Sequence, residues 1–147
     1  GVNLMKEVKI LENVNEKALA YLNSMFKEQQ NTIGDIIIYE GDVGEDIFIV
    51  KSGTLDVIKN GVKIGELTDG DTFGEMAIID NQARSATVRA TTDVVLSKLT
   101  YKDFYQLKEY DIEGYATIIM NLAKELSQRV RDIDEKLQKI WRWYINN

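Results

Sequence analysis

The sequence contains no cysteine, no histidine and no proline. Without cysteine there is no disulfide framework and no thiol chemistry. Without histidine the commonest general base and the commonest transition-metal ligand are missing, and a zinc centre is effectively excluded. Without proline no loop is stiffened by a ring-locked φ. No apolar run reaches the roughly 18 residues of a membrane span. The start, GVNLMKEVKI, is mixed and charged, unlike a signal peptide, which points to the cytoplasm. No stretch is rich in lysine and arginine, and a net charge of -6 argues against a nucleic-acid surface over the whole chain.

What is present describes one globular domain. The chain has 147 residues, 44% hydrophobic and 29% charged, enough for a core of its own. NVNEKALAYLNSMFKE, residues 13–28, reads as a helix. Asn13 is the expected N-cap, with Glu16 completing a box-like start. Leu19, Leu22, Met25 and Phe26 share one face.

From residue 31 the period changes. DIIIYEG, DIFIVKSG, TLDVIKNG and VKIGELTDG alternate β-branched or aromatic residues with glycine turns. Asn60 and Gly61 between two such runs predict a two-residue hairpin with a type I′ turn. Strands resume at SATVRATT and VVLSKL. After residue 100 the pattern is helical again, with Thr100 and Asp103 in a capping arrangement and an expected break near Gly114. A long helix is predicted from about Tyr115 to Tyr144. The expected fold is α+β, mainly β: an antiparallel β-roll or jelly-roll barrel flanked by helices. Residues 1–114 would form the roll, and 115–147 a long helix of the same domain.

FGEMAIIDNQARSATVRA, residues 73–90, carries the chemistry. Gly70 and Gly74 let the backbone approach a ligand closely. EMAII fits one helical turn whose first N–H groups could face an anion. Arg84 offers a planar fork suited to a phosphate, followed by the small residues Ser85 and Ala86. Glu75 would repel a phosphate and instead suits a sugar hydroxyl, because an ionised carboxylate only accepts. One ligand with a phosphate and a nearby ribose hydroxyl accounts for both.

This stretch closely resembles the phosphate-binding cassette of the cyclic nucleotide-binding domain family, of catabolite-activator and kinase-regulatory-subunit type. The family pattern is approximately F-G-E-[LM]-A-[LI]-[LIM]-x-x-x-P-R-[AST]-A-[TS]-[VI], and this chain has FGEMAIIDNQARSATV. The resemblance implies that Arg84 holds the cyclic phosphate and Glu75 accepts from the ribose 2′-hydroxyl. It implies that the backbone of Gly74, Ala77 and Ala86 lines the ribose and phosphate, with Met76 also among the ligand-binding residues. Ser85 would stand beside the phosphate, Ile64 and Leu67 would add apolar wall, and Phe73 would pack inside the barrel. The pattern's proline is Ala83 here, which would loosen the cassette without removing a ligand contact. Ser85 is intermediate between the family's cAMP and cGMP preferences, and cAMP is favoured. No cofactor other than this ligand is implied.

Ile119, Leu126, Ile133 and Ile140 recur every seven residues, and Ala123, Val130, Leu137 and Tyr144 form a second series. This a/d seam predicts a homodimeric coiled coil over about 119–144, with Arg129 and Asp134 placed for an interhelical pair. The resemblance adds that such a helix often lids the purine, with Arg129, Ser127 and Gln128 as candidates to reach it. The expected function is a non-catalytic cyclic nucleotide sensor that moves its last helix. The alternatives are the sensor half of a dimeric transcription regulator, which would need a further DNA-binding segment, and a dimerisation scaffold with a relic pocket. Hydrolysis of the ligand is disfavoured, since no carboxylate cluster suggests a two-metal site. The acidic GDVGED lacks the spacing of a calcium loop.

Overall fold

The computed structural model describes residues 8–147, so most of the N-terminal stretch read as unlike a leader lies outside the described residues. A 3-10 turn, Lys9–Leu11, leads to helix α1, Glu16–Met25. The cap of α1 is Asn15, whose side chain accepts from the Ala18 N–H at 2.8 Å. Asn13, the expected cap, instead adopts φ +63° and turns the chain ahead of the helix. Asparagine tolerates that left-handed conformation. The helix also stops earlier than residue 28. Lys27–Asn31 forms strand β1, paired with β8. Its sequence, KEQQN, has no apolar alternation, so its strand character comes from its partner.

Seven further strands follow: β2 Ile36–Ile38, β3 Asp46–Ser52, β4 Leu55–Lys59, β5 Val62–Leu67, β6 Thr72–Phe73, β7 Thr87–Ala90 and β8 Val94–Thr100. They form two four-stranded antiparallel sheets, ordered β1-β8-β3-β6 and β2-β7-β4-β5. The two sheets make a β-roll and do not close into a barrel. Asn60 and Gly61 join β4 to β5 with φ of +51° and +78°, as a type I′ turn requires.

β3 explains why the core is double. Ile47 and Ile49 point to the helices, into a cluster with Leu19, Leu22, Phe104 and Leu122. Phe48 and Val50 point between the sheets, where they meet Leu55, Phe73 and Leu96. Period-two alternation with both faces covered yields a continuously apolar strand.

Helix α2 is short, Met76–Asp80, and α3 spans Tyr101–Tyr110. Thr100 caps α3, accepting from the Asp103 N–H at 3.1 Å. The break falls at Asp111, not at Gly114, and α4 runs from Ile112 to Asn146. Gly114 lies in the first turn of α4 for a packing reason: a Cβ there would come 2.2 Å from the Ala18 Cβ. Ile118, Asn121 and Leu122 bury the near half of α4. Asn121 Nδ2 donates to the Ile10 and Glu12 carbonyls at 2.9 and 2.8 Å. From Ser127 onward every residue is exposed.

Candidate functional site

The segment from β6 to β7 folds around two buried charges. Gly74 turns the chain out of β6 with φ +81°, and a Cβ there would strike Arg84 Nη1 and the Asp46 carbonyl at 2.8 Å. Only glycine satisfies both demands. After α2, Asn81 reverses the chain with φ +52°. The loop following β2 then clamps the Arg84 backbone: Arg84 N–H donates to Asp42 O, and Gly41 N–H donates to Arg84 O, both at 2.8 Å.

The Arg84 side chain is 8% exposed. Nη1 donates to Gly74 O at 3.0 Å and to the Tyr101 hydroxyl at 2.8 Å. Nη2 donates to Asp46 O at 2.8 Å. Three of the guanidinium's five N–H bonds are thus held by neutral acceptors. The Nε–H and one Nη2–H have no partner among the described residues. No carboxylate pairs with Arg84 among them either. Gly44 makes room for the group, since a Cβ there would lie 1.9 Å from Nε.

Glu75 is 4% exposed. Its Oε1 meets Arg129 Nη2 from α4 at 3.0 Å. Arg129 was read both as one side of an interhelical pair with Asp134 and as a candidate to reach the purine. It turns inward, because α4 crosses directly over the cassette. One turn back, burial pushes the Glu125 carboxyl above its usual range, with the Glu75 charge adding to the effect.

These groups line a cavity of about 560 Å³, within the range of small-ligand sites. Ile64, Leu67, Gly74, Glu75, Met76, Arg84, Ser85, Ala86 and Arg129 all border it. Ala77 lies within α2. Phe73 borders the cavity too, while its ring stacks on Phe48 at 4.9 Å in the inter-sheet core. Gln128 does not reach the cavity. It lines a separate groove with Lys9, Glu12 and Lys124. Ser127 accepts from Arg131 along the helix.

The sequence reading missed several contributors. Asp132, Ile133 and Lys136 border the cavity from α4, and their spacing from Arg129 is the helical signal that could have found them. Tyr101, Gly44 and the Asp46 carbonyl have no local signal, because distant strands deliver them to Arg84. Among the described residues no group of carboxylates could hold a metal ion, and no helix is long and apolar enough to cross a membrane. The arrangement offers one cationic edge, one buried carboxylate and an apolar wall.

The family model for the cyclic nucleotide-binding domain matches residues 28–111, more than half of the chain. The chain belongs to the cyclic nucleotide-binding domain family. Among relatives of this domain, the cAMP-dependent protein kinase regulatory subunit of Yarrowia lipolytica is 37% identical over 95 residues, covering 65% of this chain and 25% of that protein. The cGMP-dependent protein kinase of Caenorhabditis briggsae is 34% identical over 110 residues, 74% of this chain and 15% of that one. The crystal structure of the Thermus thermophilus catabolite activator protein superposes with a TM-score of 0.77 at 26% identity, covering 90% of this chain and 62% of that chain. The chain spans about a quarter or less of the curated relatives it matches.

Proposed function

We propose that the chain is a non-catalytic cyclic nucleotide sensor, with cAMP preferred to cGMP, that converts ligand binding into movement of α4. One observation carries this reading: a buried guanidinium with no carboxylate partner among the described residues lines a cavity that also holds a buried carboxylate. A buried unpaired cation is costly and calls for an anion. The cyclic phosphate takes the Nε–Nη2 edge of Arg84, a bidentate charge-assisted contact. The ribose 2′-hydroxyl donates to Glu75. Ile64 and Leu67 offer the base an apolar wall.

The switch follows from competition at Glu75. That carboxylate anchors Arg129 and so the middle of α4. A ribose hydroxyl claims the same acceptor, and the two helix arrangements then differ in ligand affinity, as any such coupling requires. The exposed series Val130, Ile133, Leu137, Ile140 and Tyr144 supports a homodimer through α4. The likeness to a catabolite activator supports a second reading, the sensor part of a dimeric transcription regulator. A cytoplasmic setting fits both.

Arg84→Ala tests the assignment. Losing the phosphate contact is expected to weaken cAMP binding by about 100-fold, the scale of a hydrogen bond to a charged group. Calorimetric titration reads the affinity, and circular dichroism confirms the fold. Unchanged affinity in a folded variant removes Arg84 from the site.

A further inference from the structure

Helix α3 grips the cassette with two phenols. Tyr101 and Tyr105 lie one helical turn apart on the same face. Tyr105 Oη donates to the Ile78 carbonyl of α2 at 3.2 Å. Tyr101 Oη donates to the Gly74 carbonyl at 2.6 Å. The direction of that bond is fixed, because a carbonyl cannot donate. The Tyr101 oxygen is then left as an acceptor, and Arg84 Nη1 fills it at 2.8 Å. Nη1 also reaches Gly74 O at 3.0 Å, which closes a three-membered ring of hydrogen bonds. Tyr101 is 8% exposed, so water does not compete for these contacts.

The ring determines which edge of Arg84 is available. With both Nη1 hydrogens committed and Nη2 tied to Asp46 O, the guanidinium cannot turn its end towards the cavity. Removing the Tyr101 hydroxyl frees one Nη1 hydrogen and leaves Gly74 O with a single partner. The fork can then rotate away from the presenting orientation. Burial pushes the Tyr101 phenol above its ordinary value, which keeps it a neutral donor at neutral pH. Tyr105 holds the same cassette yet does not touch Arg84, so it is a built-in control.

Resting on the sensor reading above, we propose that Tyr101 is a positioning residue: it orients Arg84 for the phosphate and links phosphate occupancy to the start of α3. Ligand binding pulls on the guanidinium, and the guanidinium shares Tyr101 Oη with the cassette and the helix. The phosphate is therefore felt at the element that precedes α4.

The test is a set of calorimetric titrations with cAMP on the full chain and its Tyr101→Phe, Tyr105→Phe, Arg84→Ala and Tyr101→Phe/Arg84→Ala variants. Tyr101→Phe is expected to weaken binding about tenfold, the scale of one net hydrogen bond. Tyr105→Phe should bind as the parent does, although both phenol deletions lower the melting temperature. In the Arg84→Ala background the Tyr101 change should have no further effect, because its action passes through Arg84. Equal affinity of Tyr101→Phe and parent, an equal loss in Tyr105→Phe, or an undiminished loss in the Arg84→Ala background each overturns the proposal. A measurement on the unmutated chain holds whether or not a variant folds: the Tyr101 Cζ resonance should shift when cAMP saturates the site, and an unmoved resonance contradicts the link. If the parent binds no cyclic nucleotide, or Arg84→Ala binds as well as the parent, the sensor reading itself fails and this inference falls with it. If those two hold and Tyr101→Phe is silent, only the positioning role is lost.

Discussion

A guanidinium held almost out of water by carbonyls and one phenol is the feature from which the site is built. Gly44 is its silent partner. Gly44→Ala would place a methyl group where the Arg84 Nε now lies. The side chain must then leave its carbonyl acceptors, and cyclic nucleotide affinity should fall about tenfold, while circular dichroism still reports a folded chain. Affinity equal to the parent would show that Arg84 can bind from elsewhere. Glu75 has a different signature. Glu75→Gln is expected to shrink the affinity ratio between cAMP and its 2′-deoxy analogue towards one, because the strong acceptor for that hydroxyl is gone. A ratio that stays wide assigns the sugar to another group. Glu125 makes a stability prediction. Burial first, and Glu75 and Asp71 second, raise its carboxyl, while Arg129 and Lys9 oppose them. The folded chain therefore binds that proton more tightly than the unfolded one. Its contribution is fully present below the ordinary carboxylate value of about 4.3 and is lost as pH rises through the folded value. Glu125→Gln should melt higher than the parent at neutral pH, and the gap should close as the solution is acidified towards that value. A gap independent of pH contradicts the assignment. Glu75 and Arg84 were legible in the sequence because one short segment carries both. Tyr101 and Gly44 were not, since their roles exist only once β3, the cassette and α3 are brought together.

Helix α4 does two jobs along its length. Its first turns belong to the core, pinned by Ile118, Leu122 and the Asn121 amide bonded to two carbonyls of the N-terminal segment. Gly114 permits that close approach. Gly114→Ala is expected to destabilise the chain by about 1–3 kcal/mol through overpacking against Ala18, read by thermal melting. A change smaller than this would mean that α1 and α4 separate easily. Past Leu126 the helix meets the cassette through Arg129 and Glu75 and borders the cavity with Ile133. Most elements could be read in advance. The alternating strands, the Asn60-Gly61 turn and the Thr100 cap all carry local chemistry that matches their final state. β1 could not be read, because five polar residues become a strand only by pairing with β8. The α3–α4 break was placed at Gly114 on helix propensity, but a tertiary contact with Ala18 explains that glycine and the chain turns at Asp111. The heptad seam was read as a coiled-coil interface over about 119–144, and its distal half is exposed. Its first turns bury a different stripe, Ile118 and Leu122, against the body.

The whole molecule is a compact two-sheet body with a projecting helix. The 35 residues of α4 span about 52 Å at 1.5 Å per residue. Twenty-one residues, 127–147, are exposed, and the seam residues Leu137 and Ile140 are 52% and 63% exposed. A homodimer would cover them. Sedimentation equilibrium should then report a dimer for the parent and a monomer for Leu137→Asp, since a buried unpaired carboxylate is not tolerated in a seam. A parent that stays monomeric at high concentration removes the coiled coil. The binding claim stands apart from the dimer and has a more direct test. The first experiment is isothermal titration of the purified chain with cAMP and with cGMP at one fixed salt concentration, after removal of any nucleotide carried through purification. Saturable binding at one site per chain, tighter for cAMP than for cGMP, is the expected result. No binding of either, at two temperatures, would contradict the sensor reading and leave the buried Arg84 edge without its anion.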